Sequence, residues 1–366
     1  MGGSEQRYIQ EAFDSNWIAP VGANLAQFEQ DLEIYLGLGH VAALNSGTAA
    51  IHLGLILLGV QAGDTVICQS MTFAASANPI LYQGATPIFI DSEPETWNLC
   101  PIALEEAIIA SIANGKKPKA ILAVHLYGVP YKIDEVRVIA NKYSIPILED
   151  SAEALGSSYK GQKCGTFGDI GVFSFNGSKI VTTSGGGAII THSEKLKDKA
   201  IFLATQAKDD APHYQHSTIG YNYRMSNICA GIGRGQMEVL EEHLVLRRQM
   251  HAFYVALFKD IEGVTVFTVP NSNYFSNYWL TTILVNPLAT NGITSEALRL
   301  ALDQENIESR PLWKPMHLQP IFHQYPYYGT TTAETLFNSG LCLPSGSNIT
   351  PAECTAIATV VLKLFR

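Results

Sequence analysis

Three short stretches of the chain carry side chains whose types and spacing could do covalent chemistry. In the first, GVFSFNGSKIVTTSGGGAII from Gly171 to Ile190, an apolar strand ends near Phe175 and a polar loop presents Lys179 ahead of Gly185 to Gly187. Ser174, Asn176, Ser178, Thr182, Thr183 and Ser184 surround this one amine with short hydroxyl and amide groups. A lysine so placed is either a solvated surface group or an amine held for attack on a carbonyl carbon, oriented by its neighbours. In the second stretch the apolar run from Pro146 closes on Glu149-Asp150, with Ser151, Ala152 and Glu153 following. A carboxylate at the end of a strand either caps the next segment or faces the ring nitrogen of a pyridine cofactor, raising its pKa by about 1 to 3 units so that the ring becomes an electron sink. Asp150 is the candidate. In the third, Asn45-Ser46-Gly47-Thr48-Ala49-Ala50 lies between a strand and an apolar helix. The unpaired N–H groups of such a helix start suit a phosphate, while Ser46 or Thr48 could equally serve as an N-cap. Phe73, in MTFAAS, is either core or an aromatic face for a planar ligand.

The elements that must position these residues follow from the hydrophobic pattern. Seven short apolar runs, Val41 to Leu44, Thr65 to Cys68, Pro87 to Ile90, Ala120 to His125, Pro146 to Glu149, Gly171 to Phe175 and Gly187 to Thr191, lack strict alternation, as strands covered on both faces do. Helical periodicity falls between them at Thr48 to Leu58, Leu104 to Ala113, Ile133 to Tyr143 and Glu194 to Ala204. The pattern predicts an α/β fold with a parallel sheet between helices, whose ligand site lies beyond the carboxyl ends of the strands. After about Met237 a charged helix through Glu241, Glu242, Arg247 and Arg248 leads to a strand at Trp279 to Val285 and to helices near Ser295 and Pro351. We therefore expect a large domain over 1–240 and a smaller α+β domain over 241–366.

Composition excludes several classes. The 366 residues hold 24 Lys and Arg against 33 Asp and Glu, a net charge of −9, which opposes nonspecific nucleic-acid binding. No apolar run reaches the roughly 20 residues of a membrane helix. MGGSEQRYIQ lacks signal-peptide regions, and Cys68, Cys100, Cys164, Cys229, Cys342 and Cys354 form no C-x-x-C pair, so a reducing, cytoplasmic setting is expected. His213 and His216 have a metal-like spacing without an acidic or thiol third ligand nearby, so no metal site is expected. GIGRGQ at Gly231 follows no strand and is a poor dinucleotide fingerprint.

Taken in order, Asn45-Ser-Gly-Thr-Ala-Ala, Thr72-Phe73, Glu149-Asp150-Ser-Ala-Glu-Ala, Phe173-Ser-Phe with Lys179, and Gly220-Tyr-Asn-Tyr-Arg resemble the sugar aminotransferases of the DegT/DnrJ/EryC1/StrS family over nearly the whole chain. The resemblance implies a PLP-dependent transferase of fold type I, like aspartate aminotransferase, with a seven-stranded, mostly parallel sheet. It also implies pyridoxal phosphate (PLP) as cofactor, pyridoxamine phosphate as intermediate, and a homodimer with shared active sites. Residue by residue, it makes Lys179 the Schiff-base lysine, Asp150 the partner of the pyridine nitrogen and Phe73 the stacking ring. Gly47, Thr48 and Ser174 would hold the phosphate, and Asn222 would reach the cofactor phosphate of the neighbouring subunit. Glu153 stands where many members carry Gln or His against the cofactor's phenolic oxygen; a charged carboxylate there would repel a phenolate, so Glu153 is either protonated or turned away.

Finer similarity, in Phe175-Asn-Gly-Ser-Lys-Ile-Val-Thr-Thr-Ser-Gly-Gly-Gly, Thr205-Gln-Ala-Lys, His213-Tyr-Gln-His, Arg310-Pro-Leu-Trp-Lys-Pro-Met-His and Cys342-Leu-Pro-Ser-Gly, is to the bacillosamine-pathway subgroup. That subgroup implies amination at carbon 4 of UDP-2-acetamido-2,6-dideoxy-4-keto-glucose by glutamate. Perosamine synthases, acting on GDP-4-keto-6-deoxymannose, share much of the lysine loop and are the alternative. Arg310, Trp313, Lys314 and His317 are candidate substrate contacts, with packing as the competing role for Trp313. The resemblance implies that the chain begins slightly inside the family's usual amino-terminal segment. A PLP-dependent dehydratase of the same family would carry His at the lysine position, and a noncatalytic sugar-nucleotide-binding module would keep the fold without needing Lys179.

Overall fold

The computed structural model describes residues 1–365. Its main sheet has eight strands in the order His40–Leu44, Gly187–Thr191, Ile170–Ser174, Ile147–Asp150, Ala120–Val124, Thr65–Gln69, Thr86–Ile90, Tyr327–Tyr328. Gly187–Thr191 runs antiparallel to both its neighbours; the other adjacent pairs are parallel. The seven strands expected from the sequence are therefore present, each end within one residue, and an eighth, Tyr327–Tyr328, extends the sheet beside Thr86–Ile90.

Strand periodicity assigns side chains to the two covered faces. Leu122 joins Leu44, Leu148, Val172 and Ile189 on the face under the helix Gly47–Leu57. Its neighbours Ile121 and Ala123 point the other way, to the helices Pro101–Ala113 and Ile133–Tyr143. Leu53 and Leu55 on the first helix are fully buried, each contributing roughly 1.5–3 kcal/mol. That helix lies so close to the sheet that a Cβ on Gly54 would stand 2.8 Å from Leu148 Cδ1. A Gly54→Leu change would push the two layers apart.

Five α-helices were not expected from the sequence: Glu5–Asp14, Ala23–Leu36, Ala74–Tyr82, Thr332–Ser339 and Asn227–Met237. The last contains GIGRGQ, and its glycines serve helix packing: a Cβ on Gly233 would come within 2.6 Å of Phe28, and one on Gly235 within 2.7 Å of the Glu5 backbone.

Toward the carboxyl end an antiparallel sheet in the order Val264–Val266, Thr281–Val285, Gly340–Leu343, Arg310–Pro311 packs on the helices Ser295–Gln304 and Pro351–Leu364. The helix Leu240–Phe258 joins the two parts. Leu240 and Leu244 enter the core around Phe175, while Met250, Tyr254 and Phe258 enter the core of the smaller sheet. The 240/241 division falls at the start of this helix, and Met316, Phe322 and Tyr327–Tyr328 return to the large sheet. Among the described residues no helix is long and apolar enough to cross a membrane.

Candidate active site

Because seven of the eight strands run the same way, Asp150, Ser174 and the loops after Gln69 and Val124 arrive at one edge of the sheet. There a cavity of about 320 Å³ is lined by Gly47, Thr48, Phe73, Asp150, Glu153, Ser174 and Lys179, with Ser46, Thr72, Ser76, Ser178, Trp279 and Trp313. The three stretches singled out from the sequence converge on it.

Its carboxylate wall is Asp150, nearly fully buried. Ser76 Oγ donates to Asp150 Oδ2 at 2.7 Å, Ala152 N–H donates to Oδ1 at 3.1 Å, and Thr72 Oγ1 lies 2.7 Å from Ser76 Oγ. Two neutral donors fix the carboxylate's orientation and leave lone pairs for a further cationic donor. The adjacent Glu149 faces the other way, into the protein. Its Oε1 accepts from His125 Nε2 (2.9 Å), Ser151 Oγ (3.3 Å) and Gly165 N–H; its Oε2 accepts from Phe167 N–H (3.0 Å) and Gly168 N–H (2.8 Å). Burial pushes the Glu149 carboxyl up, but the bonds from His125, Gly165 and Gly168 outweigh it and hold the group below the ordinary carboxylate range. Of the two acids, Glu149 ties loops together and Asp150 serves the cavity.

At the opposite end, Ser46 caps the helix Gly47–Leu57: its Oγ takes the Ala49 N–H at 3.1 Å and its carbonyl takes that of Ala50. The N–H groups of Gly47 and Thr48, which no helical carbonyl can reach, stay beside the cavity. A Cβ on Gly47 would sit 2.9 Å from Ser174 Cβ, and one on Gly187 would collide with the Ser46–Gly47 peptide. The glycines thus leave a cradle of backbone donors flanked by the Thr48 and Ser174 hydroxyls, which fits a phosphate.

Lys179 Nζ lies 3.8 Å from the centroid of the Trp279 ring and 3.4 Å from Glu153 Oε1. Trp279 Nε1 donates to the Ser178 carbonyl at 2.8 Å, fixing the ring beneath the lysine loop. Glu153 is buried, and its Oε2 accepts the Tyr127 N–H at 2.7 Å. Burial raises its carboxyl above the ordinary range; Lys179 and the Tyr127 N–H pull the other way, and Asp150 adds to the rise. Glu153 Oε1 therefore points toward the lysine. Phe73 is half-exposed and leans on Trp313, ring centroids 5.0 Å apart. A lysine, a buried acid, a cradle of backbone donors and an aromatic face around one cavity fit a phosphorylated pyridine aldehyde.

The remaining candidates lie farther out. Trp313 lines both this cavity and a second one, which Arg310 and Lys314 also line. Arg310 is exposed and paired with Glu308 at 2.6 Å. His317 lines neither cavity: Ser70 Oγ lies 2.7 Å from its Nδ1, Glu334 Oε1 3.2 Å from its Nε2, and its ring stacks on Tyr327 at 3.8 Å. Asn222 is exposed and outside the cavity of its own chain; its carbonyl accepts from Asn45 Nδ2 at 3.0 Å. Arg224, two residues on, holds that segment down through Glu29 and the Ala43 carbonyl. His213 and His216 lie in an exposed loop, bonded to Gln215 and the Gln206 carbonyl.

Sequence reasoning missed Ser76, Tyr127 and Trp279 as parts of the site. Ser76 follows Thr72 by four residues just after a strand, a local signal that was available. Trp279 comes from 100 residues beyond the lysine, and no local pattern connects them.

A sequence profile of the DegT/DnrJ/EryC1/StrS aminotransferase family matches residues 1–362. The chain is 50% identical over 369 residues to EpsN of Bacillus subtilis (strain 168), a protein named for pyridoxal phosphate-dependent aminotransferase activity, covering 100% of this chain and 94% of the relative. It is 37% identical over 343 residues to GDP-perosamine synthase of Escherichia coli O157:H7, covering 94% and 90% of the two chains. A DegT DnrJ EryC1 StrS aminotransferase from Brucella abortus superposes with a TM-score of 0.91 at 29% identity, over 99% of this chain and 95% of that one. With the profile running almost end to end and the cavity fitting its cofactor, the chain belongs to the DegT/DnrJ/EryC1/StrS family and is a pyridoxal phosphate-dependent aminotransferase.

Proposed function

We propose that this enzyme moves an amino group from glutamate to carbon 4 of a nucleotide-linked 4-keto-6-deoxy sugar, and that UDP-2-acetamido-2,6-dideoxy-4-keto-glucose is the substrate, giving UDP-2-acetamido-4-amino-2,4,6-trideoxyglucose. The observation that carries the reading is the joining of two cavities. The one holding Lys179 shares Ser178, Trp279 and Trp313 with the second, which Arg310 and Lys314 also line. A keto carbon at Lys179 leaves room for a long substituent there, and Lys314, with Arg310 paired to Glu308 on the same wall, suits a diphosphate on a chain whose net charge is −9.

Bound pyridoxal phosphate supplies an aldehyde and a ring that stores the electron pair left when a proton leaves the donor's α-carbon. Gly47, Thr48 and Ser174 bind its phosphate through N–H and hydroxyl donors. Asp150, oriented by Ser76 and the Ala152 N–H, keeps the ring nitrogen protonated. Lys179 Nζ would attach the cofactor, and as a free amine it would be the base that takes the donor's α-proton and later returns one to the product carbon. Phe73 and Trp313 cover the cavity and exclude water. Asn222, exposed on its own chain, completes the cavity of a second subunit in a homodimer; residues 1–240 form the large cofactor-binding domain and 241–366 the smaller α+β domain, from which Tyr327–Tyr328 returns to the large sheet. Six free cysteines suit a reducing compartment.

The test is mass spectrometry and proton NMR of the product after incubation with PLP, glutamate and the UDP 4-keto sugar, beside GDP-4-keto-6-deoxymannose. Amine formed from the UDP sugar alone supports the reading. Turnover of the GDP sugar alone would make the enzyme a perosamine synthase, as the relative in Escherichia coli is named. Binding with no 2-oxoglutarate released from glutamate would contradict an aminotransferase.

A further inference from the structure

The cavity is lined by three charged side chains, Asp150, Glu153 and Lys179. An ammonium has no lone pair, so Lys179 must lose a proton before it can attack any carbonyl. The lysine side chain is only 14% exposed and that of Glu153 5%, so bulk water is a poor acceptor there. Glu153 Oε1 lies 3.4 Å from Nζ, while Oε2 is committed to the Tyr127 N–H at 2.7 Å. A backbone donor cannot rotate away, so a proton arriving on this carboxyl group goes to Oε1, the oxygen that faces the lysine.

We propose that Glu153 is the acceptor of the Lys179 proton: it passes from Nζ to Glu153 Oε1 when the lysine reacts, and Glu153 then stays a neutral carboxylic acid for as long as the lysine is engaged. One N–H bond breaks and one O–H bond forms; no electrons are exchanged, and the pair carries zero net charge before and after. The free amine then condenses with the aldehyde and releases water. Displaced as a free amine, Lys179 can take the donor's α-proton while Glu153 stays neutral; Glu153 becomes a carboxylate again only when its proton returns to a Lys179 amine that carries none, as when the cofactor leaves.

The surroundings drive the transfer. Burial and the charge of Asp150 push the Glu153 carboxyl upward, and the first influence opposing them is the Lys179 cation. Once that cation is consumed, only the Tyr127 N–H still favours the ionised form. The other titratable groups near Glu153, Tyr127 and Cys342, are held neutral because burial raises both. A neutral Glu153 also removes the repulsion expected between a carboxylate and the cofactor's phenolic oxygen. The departure from the Gln or His of related chains thereby becomes a place to store one proton.

The proposal rests on Lys179 being the reacting amine, and the experiment scores that separately. Difference infrared spectroscopy on protein labelled with 13C-carboxyl glutamate compares the cofactor-free and PLP-loaded forms, and borohydride reduction with peptide mass locates the attached cofactor in the same samples. A carboxylic-acid band that grows on loading, and is absent from Glu153→Gln protein still loaded at Lys179, is the expected result. In cofactor-free Lys179→Met, which lacks the cation, the same band is expected without any PLP. Loading at Lys179 with no acid band, a band that persists in Glu153→Gln, or an ionised Glu153 in Lys179→Met would overturn the proposal and leave the aminotransferase reading intact.

Discussion

Adjacent carboxylates with opposite tasks give the sharpest prediction. In Glu149→Gln the amide nitrogen must replace one of two oxygens that both accept hydrogen bonds. At the Oε2 position it would face the N–H groups of Phe167 and Gly168, two orphaned donors at about 1–3 kcal/mol each. At the Oε1 position Ser151 can turn to accept, and His125 Nε2 can accept only if its proton moves to the unpartnered Nδ1, so the Gly165 N–H and one imidazole N–H are left unsatisfied, together with the loss of the charge-assisted bonds. The cheaper arrangement costs about 2–4 kcal/mol, a fall in Tm of roughly 3–5 °C for a chain of 366 residues. Asp150→Asn is milder for the fold: Oδ1 still accepts the Ala152 N–H, and the amide can donate to Ser76 Oγ, whose own hydrogen turns to Thr72, so less than about 1 kcal/mol is lost. Its effect falls on turnover. Each unit lost from the ring nitrogen's pKa is tenfold in its protonated fraction, so a fall of about 10- to 1000-fold in kcat is expected. Thermal unfolding followed by dichroism and single-turnover kinetics at a temperature where both variants are folded would measure the two effects. Equal losses of turnover per folded molecule in the two variants, with unchanged melting of Glu149→Gln, would refute the assignment.

Three further outcomes are expected. Gly47→Ala, whose Cβ would stand 2.9 Å from Ser174 Cβ, should weaken PLP binding at least about tenfold by an absorbance titration; unchanged affinity would mean the phosphate lies elsewhere. Glu149, held below its ordinary value of 4.5, contributes stability that is present above that value and lost as pH falls through the lower folded one. Urea unfolding of wild type should therefore weaken below about pH 4.5 more steeply than that of Glu149→Gln, and parallel curves would contradict the buried network. Mixing Asn222→Ala with Lys179→Ala subunits should restore part of the activity through mixed dimers carrying one intact site, and complete failure would argue against a site shared between subunits.

Much of the site was legible because its chemistry lies where strands end. Asp150, Ser174 and the loop with Lys179 follow apolar runs, and parallel strands bring their carboxyl ends to one edge whatever the order of the sheet. Period two already implied that Glu149 and Asp150 face opposite ways; which of them faces the cavity depended on the loop at Gly165 to Gly168, which encloses Glu149. What stayed hidden is nonlocal or too short to have a period. Trp279 reaches Lys179 from the smaller sheet, and the two-residue strand Tyr327–Tyr328 adds to the large sheet through pairing alone. His317 was a candidate substrate contact at the end of the Arg310-Pro-Leu-Trp-Lys-Pro-Met-His stretch, yet its nitrogens are engaged by Ser70 and Glu334 and its ring by Tyr327. One-letter codes carry no record of such commitments.

The most direct test of the account asks which residue holds the cofactor. Protein loaded with PLP, reduced with borohydride and digested should yield one pyridoxyl-modified peptide, carrying its label on Lys179, and Lys179→Ala should lose both that peptide and the visible absorption of the lysine-bound cofactor. Label on another lysine, or transamination retained by Lys179→Ala, would contradict the site described for this chain.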